Sequence, residues 1–162
     1  MSYYILSNDN FKTFDSEKLV FGDKIISDTI TKYYLYYIDN NETKQIYIKL
    51  PKLRMIFNNF ANQKYSQINI PIYPLWTKTE EFINFILDFE KIICNIFKTK
   101  FALCSLLSNK NSFKLFKMYM KNLPKITSTI NKNINFNDFQ INSEIELVVK
   151  IDSIWLNKSY KM

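Results

Sequence analysis

Between residues 45 and 50 the chain alternates strictly. Ile46, Ile48 and Leu50 fall on one side of an extended chain and Tyr47 and Lys49 on the other. That is the period of a sheet covered on one face only. The preceding run KYYLYYI (32–38) is strand-like in its aromatic content, and Asp39-Asn40-Asn41 supplies the turn that makes the two a hairpin. The second strand is expected to run from 45 to about 57, with Pro51 marking an edge or a bulge. After polar residues 58–63, a strand from Lys64 puts Ile68, Ile70 and Ile72 on one side and Tyr65, Gln67 and Asn69 on the other. Three strands then form a meander, ended by Pro71 and Pro74.

The period changes at residue 80. Phe82, Phe85, Ile86, Phe89, Ile93, Ile96 and Phe97 recur at steps of three and four, which predicts a long amphipathic helix over about 80–98. Thr79, Glu80 and Glu81 suit its positive N-terminal end. In 99–125, Lys110, Lys114, Lys117 and Lys121 would line one helix face, so this insertion reads as a second helix or as irregular structure closed by Pro124. Residues 126–130 suggest a short strand and 131–142 an Asn-rich loop. From 144 to 155 Ile145, Leu147, Val149 and Ile151 alternate inward, and 156–159 suggest a turn into a last strand holding Tyr160. Residues 1–24 have no firm period and read as an arm with one short strand. The expectation is one domain over 1–162, mainly β with α insertions.

Composition narrows the chemistry. The 162 residues are 47% apolar, enough for a core without disulfides or a structural metal. The chain has no His and one Gly. Ser–His and Cys–His relays, HExxH zinc sites and Cys2His2 fingers are therefore excluded, as are glycine-rich phosphate loops. No cofactor, metal or catalytic constellation is expected: pairs such as Asp23/Asp28 and Glu144/Glu146 converge with nothing. Cys94 and Cys104 sit in apolar surroundings outside any CxxC pair and read as reduced core thiols. The start, MSYYILSNDNF, lacks the basic and apolar regions of a signal peptide, and no run of 18 apolar residues occurs. The expected setting is intracellular, in the cytoplasm, with no membrane. A net charge of +7 favours polyanionic partners, although the Lys, Asn, Ile, Tyr and Phe excess also follows from AT-rich codons.

The outward sheet positions carry the candidate chemistry. Tyr34, Tyr36, Tyr47, Lys49 and Tyr65 point away from the core, with Lys52, Arg54 and Phe57 beyond the proline and Trp155, Lys158 and Tyr160 near the C-terminus. Aromatic rings interleaved with bases suit single-stranded nucleic acid: rings stack on unpaired bases while Lys and Arg track phosphates. Rings that cover another layer of the fold would give the same pattern.

Three segments then resemble a family. YIKLPKLRMIF (47–57), followed by Tyr65-Ser66, looks like the strand and Pro-basic element of the single-stranded DNA-binding proteins of large cytoplasmic DNA viruses of the asfarvirus kind, and with them those of yeast cytoplasmic linear plasmids. EEFINFILDFEKII (80–93) is similar to the central helix of that family, and ELVVKIDSIWLNKSYKM (146–162) to its late strand with a Trp before a turn and a Tyr. The resemblance implies an OB-fold, a curved five-stranded barrel with a helix and insertions, that binds single strands without sequence preference and has no enzymatic activity. By position it carries binding over to Lys49, Lys52, Arg54, Phe57, Tyr65, Trp155, Lys158 and Tyr160. Where the family has a glycine after the final tyrosine and a further strand, this sequence has Lys161-Met162. The partners it implies are single-stranded DNA, with RNA the alternative, together with replication proteins and further copies of the chain on DNA. A non-enzymatic adaptor of a viral or plasmid replication or virion complex is the other reading.

Overall fold

The computed structural model describes residues 2–54, 67–73, 77–98, 106–110, 113–119 and 144–157. Its framework is a mixed six-stranded sheet. Strands β3 (Ile30–Asp39) and β4 (Glu42–Lys49) form the expected hairpin, with Asn40 and Asn41 at φ 51° and 61° in the left-handed turn conformation that Asn tolerates. Residues 1–24 are not an arm. β1 (Tyr3–Leu6) pairs in parallel with β4, and β2 (Leu19–Ile26) pairs antiparallel with β3. Between them Phe11 is buried against Phe85 and Phe82 of the helix, and Phe14 packs on Tyr37, Phe85 and Phe89.

The expected three-strand meander is not formed. β4 ends at Lys49, and among the described residues after Pro51 the next strand is the two-residue β5 (Leu53–Arg54), while 55–66 lie outside the described residues. β6 (Gln67–Ile72) joins a separate three-stranded sheet with β7 (Leu107–Asn109) and β8 (Lys114–Tyr119). Pro71 does not end β6 but lies inside it opposite Leu115, tolerated because β6 is an edge strand. Nor do residues 114–119 form a second helix. Lys114 and Lys117 have opposite parity in the strand, which pairs along its whole length with β6, and Phe116, buried at 3% exposure, anchors it against Phe82.

The long helix is where its stripe predicts, α1 (Thr77–Phe97). Phe82, Ile83, Phe85, Ile86, Phe89 and Ile93 are its buried face. Its C-terminal Phe97 meets Phe21 and Tyr33 on the inner face of the main sheet. Lys98, at φ 48°, ends it in the left-handed conformation that commonly closes helices. Thus α1 bridges the three-stranded sheet at one end and the main sheet at the other. Among the described residues no helix is long and apolar enough to cross a membrane. Cys94 is a half-buried free thiol on α1, and Cys104 lies outside the described residues.

The C-terminal segment does what no local pattern specifies. After β9 (Glu144–Ile145), which pairs with β5, the strand β10 (Val148–Ile151) runs antiparallel to β4 as far as Ile46. Asp152 then reverses the chain, and β11 (Ser153–Asn157) returns along β3. The register explains the reversal. β3 and β4 pair directly only from Tyr36/Gln45 to the turn, and beyond that point they diverge. The strands β10 and β11 fill the fork, and the Leu35 amide donates to the Asp152 carbonyl at its vertex, 3.1 Å away. Leu147, Val149 and Ile151 do pack inward as expected. Residues 156–157 continue β11 and do not turn. The fold is therefore β-rich, and among the described strands the main sheet does not close into a barrel. The strand and loop expected over 126–142 lie outside the described residues.

Candidate nucleic-acid interface

Strand alternation and register together decide which side chains share the outer face of the main sheet. On β3 Tyr33, Leu35 and Tyr37 turn inward, leaving Lys32, Tyr34, Tyr36 and Ile38 outside. On β4 Ile46 and Ile48 are buried and Tyr47 and Lys49 face out. Parallel pairing brings Tyr3 and Ile5 of β1 beside Gln45 and Tyr47, with the Tyr3 and Tyr47 rings edge-on at 5.8 Å. The strands in the fork add Lys150, opposite Tyr47, and Trp155, opposite Lys32. One surface thus collects Tyr34, Tyr36, Tyr47, Lys49 and Trp155 of the predicted residues.

This face carries six of the eight large hydrophobic side chains that stand exposed among the described residues. Tyr3, Ile5, Ile25, Ile38, Val148 and Trp155 are all exposed large side chains on it. Several large apolar side chains exposed on one sheet face are a feature found at interaction surfaces. Trp155 is 57% exposed, so it is not a core tryptophan. Its Nε1 donates to Ser153 Oγ at 3.0 Å, which orients the ring edge while leaving a face open.

The lysines are held ready between the rings. Lys32 Nζ lies 4.1 Å from the centroid of the Tyr34 ring and 5.6 Å from that of Trp155, a cation over two aromatic faces. Asp152, at the fork vertex, reaches Lys32 Nζ at 3.4 Å from one lobe and Lys150 Nζ at 2.9 Å from the other. Partial burial pushes the Asp152 carboxyl up, but the hydrogen bond and charge of Lys150 and the charge of Lys32 outweigh it and hold the group below its ordinary value. For Lys32 desolvation pulls the ammonium down, and the Tyr34 hydrogen bond with the Asp152 charge more than compensates, so it stays above the usual range. Lys49 pairs with Glu146 at 3.0 Å, both about half exposed, an arrangement that contributes little to stability.

A depressed carboxylate stabilises the fold above its unfolded pKa and ceases to as pH falls through the folded value. Acid titration below about pH 4 should therefore remove the Asp152 contribution, and Asp152→Asn should flatten that part of the acid loss seen in urea midpoints against pH.

Gly22 has a structural reason to be the one glycine. A Cβ there would lie 2.7 Å from Cε2 of Tyr36, so the ring rests directly over the β2 backbone at its bulge. Gly22→Ala should displace that ring and weaken oligothymidylate binding a few-fold, with little change in the denaturation midpoint.

Compared with protein families, with curated proteins and with solved structures, the chain matches none.

The other predicted residues fall elsewhere. Lys52 and Arg54 are exposed but lie beyond Pro51. Arg54 is on β5 opposite Glu144, outside the main sheet. Phe57, Tyr65, Lys158 and Tyr160 lie outside the described residues. Sequence reasoning missed Lys32, Lys150, Asp152 and Tyr3. Lys32 has the same strand parity as Tyr34, and Lys150 the parity opposite to Val149 and Ile151, so both were accessible to the alternation argument. Tyr3 was not, because its place depends on parallel pairing with a strand far along the chain. Among the described residues no group of three or more Cys, Asp or Glu side chains is placed to hold a metal ion.

Proposed function

We propose that the outer face of the main sheet binds single-stranded nucleic acid without sequence preference, and that the protein acts by binding rather than by catalysis. The observation that carries the reading is the convergence of Trp155, Tyr34, Tyr36 and Tyr47 with Lys32, Lys49 and Lys150 on one exposed face. Exposed rings offer stacking surface to unpaired bases, each worth about 1–3 kcal/mol, and the lysines between them neutralise phosphates. Asp152 is engaged by Lys32 and Lys150 and orients them, and Glu146 pairs with Lys49.

An OB-like barrel is the fold that goes with this reading, and the pairing of β10 with β4 and of β11 with β3 where β3 and β4 part is compatible with it. The resemblance of 47–57, 80–93 and 146–162 to viral and plasmid single-stranded DNA-binding proteins points the same way, to a role coating replication intermediates in the cytoplasm. A second reading has its own support: Ile5, Ile25, Ile38 and Val148 give the face an aliphatic component that suits a protein partner.

Salt separates the two. Binding to a single strand should weaken by roughly 0.7 log units per tenfold salt for each phosphate neutralised. Titration of the fluorescence of Trp76 and Trp155 with oligothymidylate at several salt concentrations reads that slope, and no change at any salt concentration would favour the protein-partner reading.

A further inference from the structure

Ser153 lies on β11 two positions before Trp155, so both side chains stand on the outer face, Ser153 opposite Tyr34 and Trp155 opposite Lys32. Its hydroxyl oxygen is 3.0 Å from Trp155 Nε1 and 3.4 Å from Asp152 Oδ2. An indole N–H can only donate, and an ionised carboxylate can only accept. One arrangement of the hydroxyl satisfies both: its hydrogen points to Asp152, and a lone pair receives the indole. Lys150 and Lys32, at 2.9 Å and 3.4 Å, keep Asp152 ionised for this role.

The contacts close into a circuit. Lys32 meets the same Asp152 oxygen as Ser153, and its Nζ is 5.6 Å from the centroid of the indole and 4.1 Å from that of Tyr34. The indole is thus held at its N–H edge by Ser153 and over one face by Lys32. Trp155 needs such a hold, because at 57% exposure it has little packing to select one rotamer. A loose ring must be ordered when a base stacks on it, which opposes binding, whereas a ring already in place avoids that cost.

We propose that Ser153 is a positioning residue, which holds the Trp155 indole in its stacking pose before nucleic acid arrives. This role rests on the outer face being a single-strand site, where it makes an exposed ring into a rigid platform. The Ser153 hydroxyl is engaged by Trp155 and Asp152, so Ser153 acts through the indole and not by contact with a base.

NMR relaxation of the indole N–H groups in the full chain, without nucleic acid, tests the hold itself. Trp155→Ala tells the Trp155 signal from that of Trp76. In the parent the Trp155 indole should be as ordered as the β11 backbone. In Ser153→Ala it should become mobile and exchange its hydrogen with water faster, and Ser153→Thr, which keeps the hydroxyl, should restore the order. Oligothymidylate titration then tests the use of that hold. Ser153→Ala should bind about twofold to tenfold more weakly, the cost of ordering one side chain. The salt slope should stay that of the parent, because no phosphate contact is removed, and Ser153→Thr should bind as the parent does. A mobile indole in the parent, an indole equally ordered in Ser153→Ala, or a parent-like affinity in Ser153→Ala beside a weakened Trp155→Ala would overturn the role. So would a weaker Ser153→Ala with a flattened salt slope. If the parent binds no oligothymidylate while its indole is ordered and loosens in Ser153→Ala, the reading of the face fails and the hold on Trp155 stands.

Discussion

Trp155→Ala should weaken binding to oligothymidylate by about tenfold to a hundredfold, the loss expected for one stacked base. The indole is 57% exposed and touches the fold mainly through Ser153 and Lys32, so its removal should leave the denaturation midpoint close to that of the parent. The loss should be similar for other base compositions, because every base has a face to stack. Ile26 supplies the control. It is equally exposed at 57%, but it pairs opposite Thr31 and so has the inward parity of β3, off the proposed face. Ile26→Ala should bind as the parent does, and equal losses at both positions would show that exposure rather than the face determines the effect.

Phe82→Ala should reduce stability by about 3–5 kcal/mol, the range for a large aromatic removed from a packed core. Phe82 is fully buried, and its ring meets Phe11 from the N-terminal segment and Phe116 from β8. One cavity would therefore loosen α1 from both the N-terminal turn and the three-stranded sheet. Urea unfolding should show the midpoint falling with an unchanged slope. A loss under 1 kcal/mol would mean that α1 does not join these layers as described. The variant should still bind single strands while folded, since Phe82 is on the inner side of the molecule.

The contrast between these two positions shows what the sequence made legible. Phe82 belongs to a stripe with a 3.6-residue period, and Tyr47 to a strand with a period of two. Both periods report burial directly, so α1, the β3–β4 hairpin and the outward aromatics could all be read. Pairing between distant strands leaves no such trace. Nothing local in Tyr3–Leu6 says that it runs parallel to β4, and the reversal at Asp152 follows from the divergence of β3 and β4 rather than from any turn residue. The spacing of Lys114 and Lys117 suits a helix face and not a strand, and it is the pairing with β6 and the burial of Phe116 that make the segment a strand. Tyr34 and Trp155 were each visible as candidates, but their meeting around Lys32 became visible only with the β3–β11 register.

Recognition of unpaired bases by the outer sheet face is decided by fluorescence anisotropy of a labelled oligothymidylate, titrated at low and moderate salt beside a duplex of equal length. Salt-sensitive binding to the single strand with much weaker binding to the duplex is the predicted result. Equal binding to both forms, or none to either, would contradict it and leave a basic, partly aliphatic face suited to a protein partner.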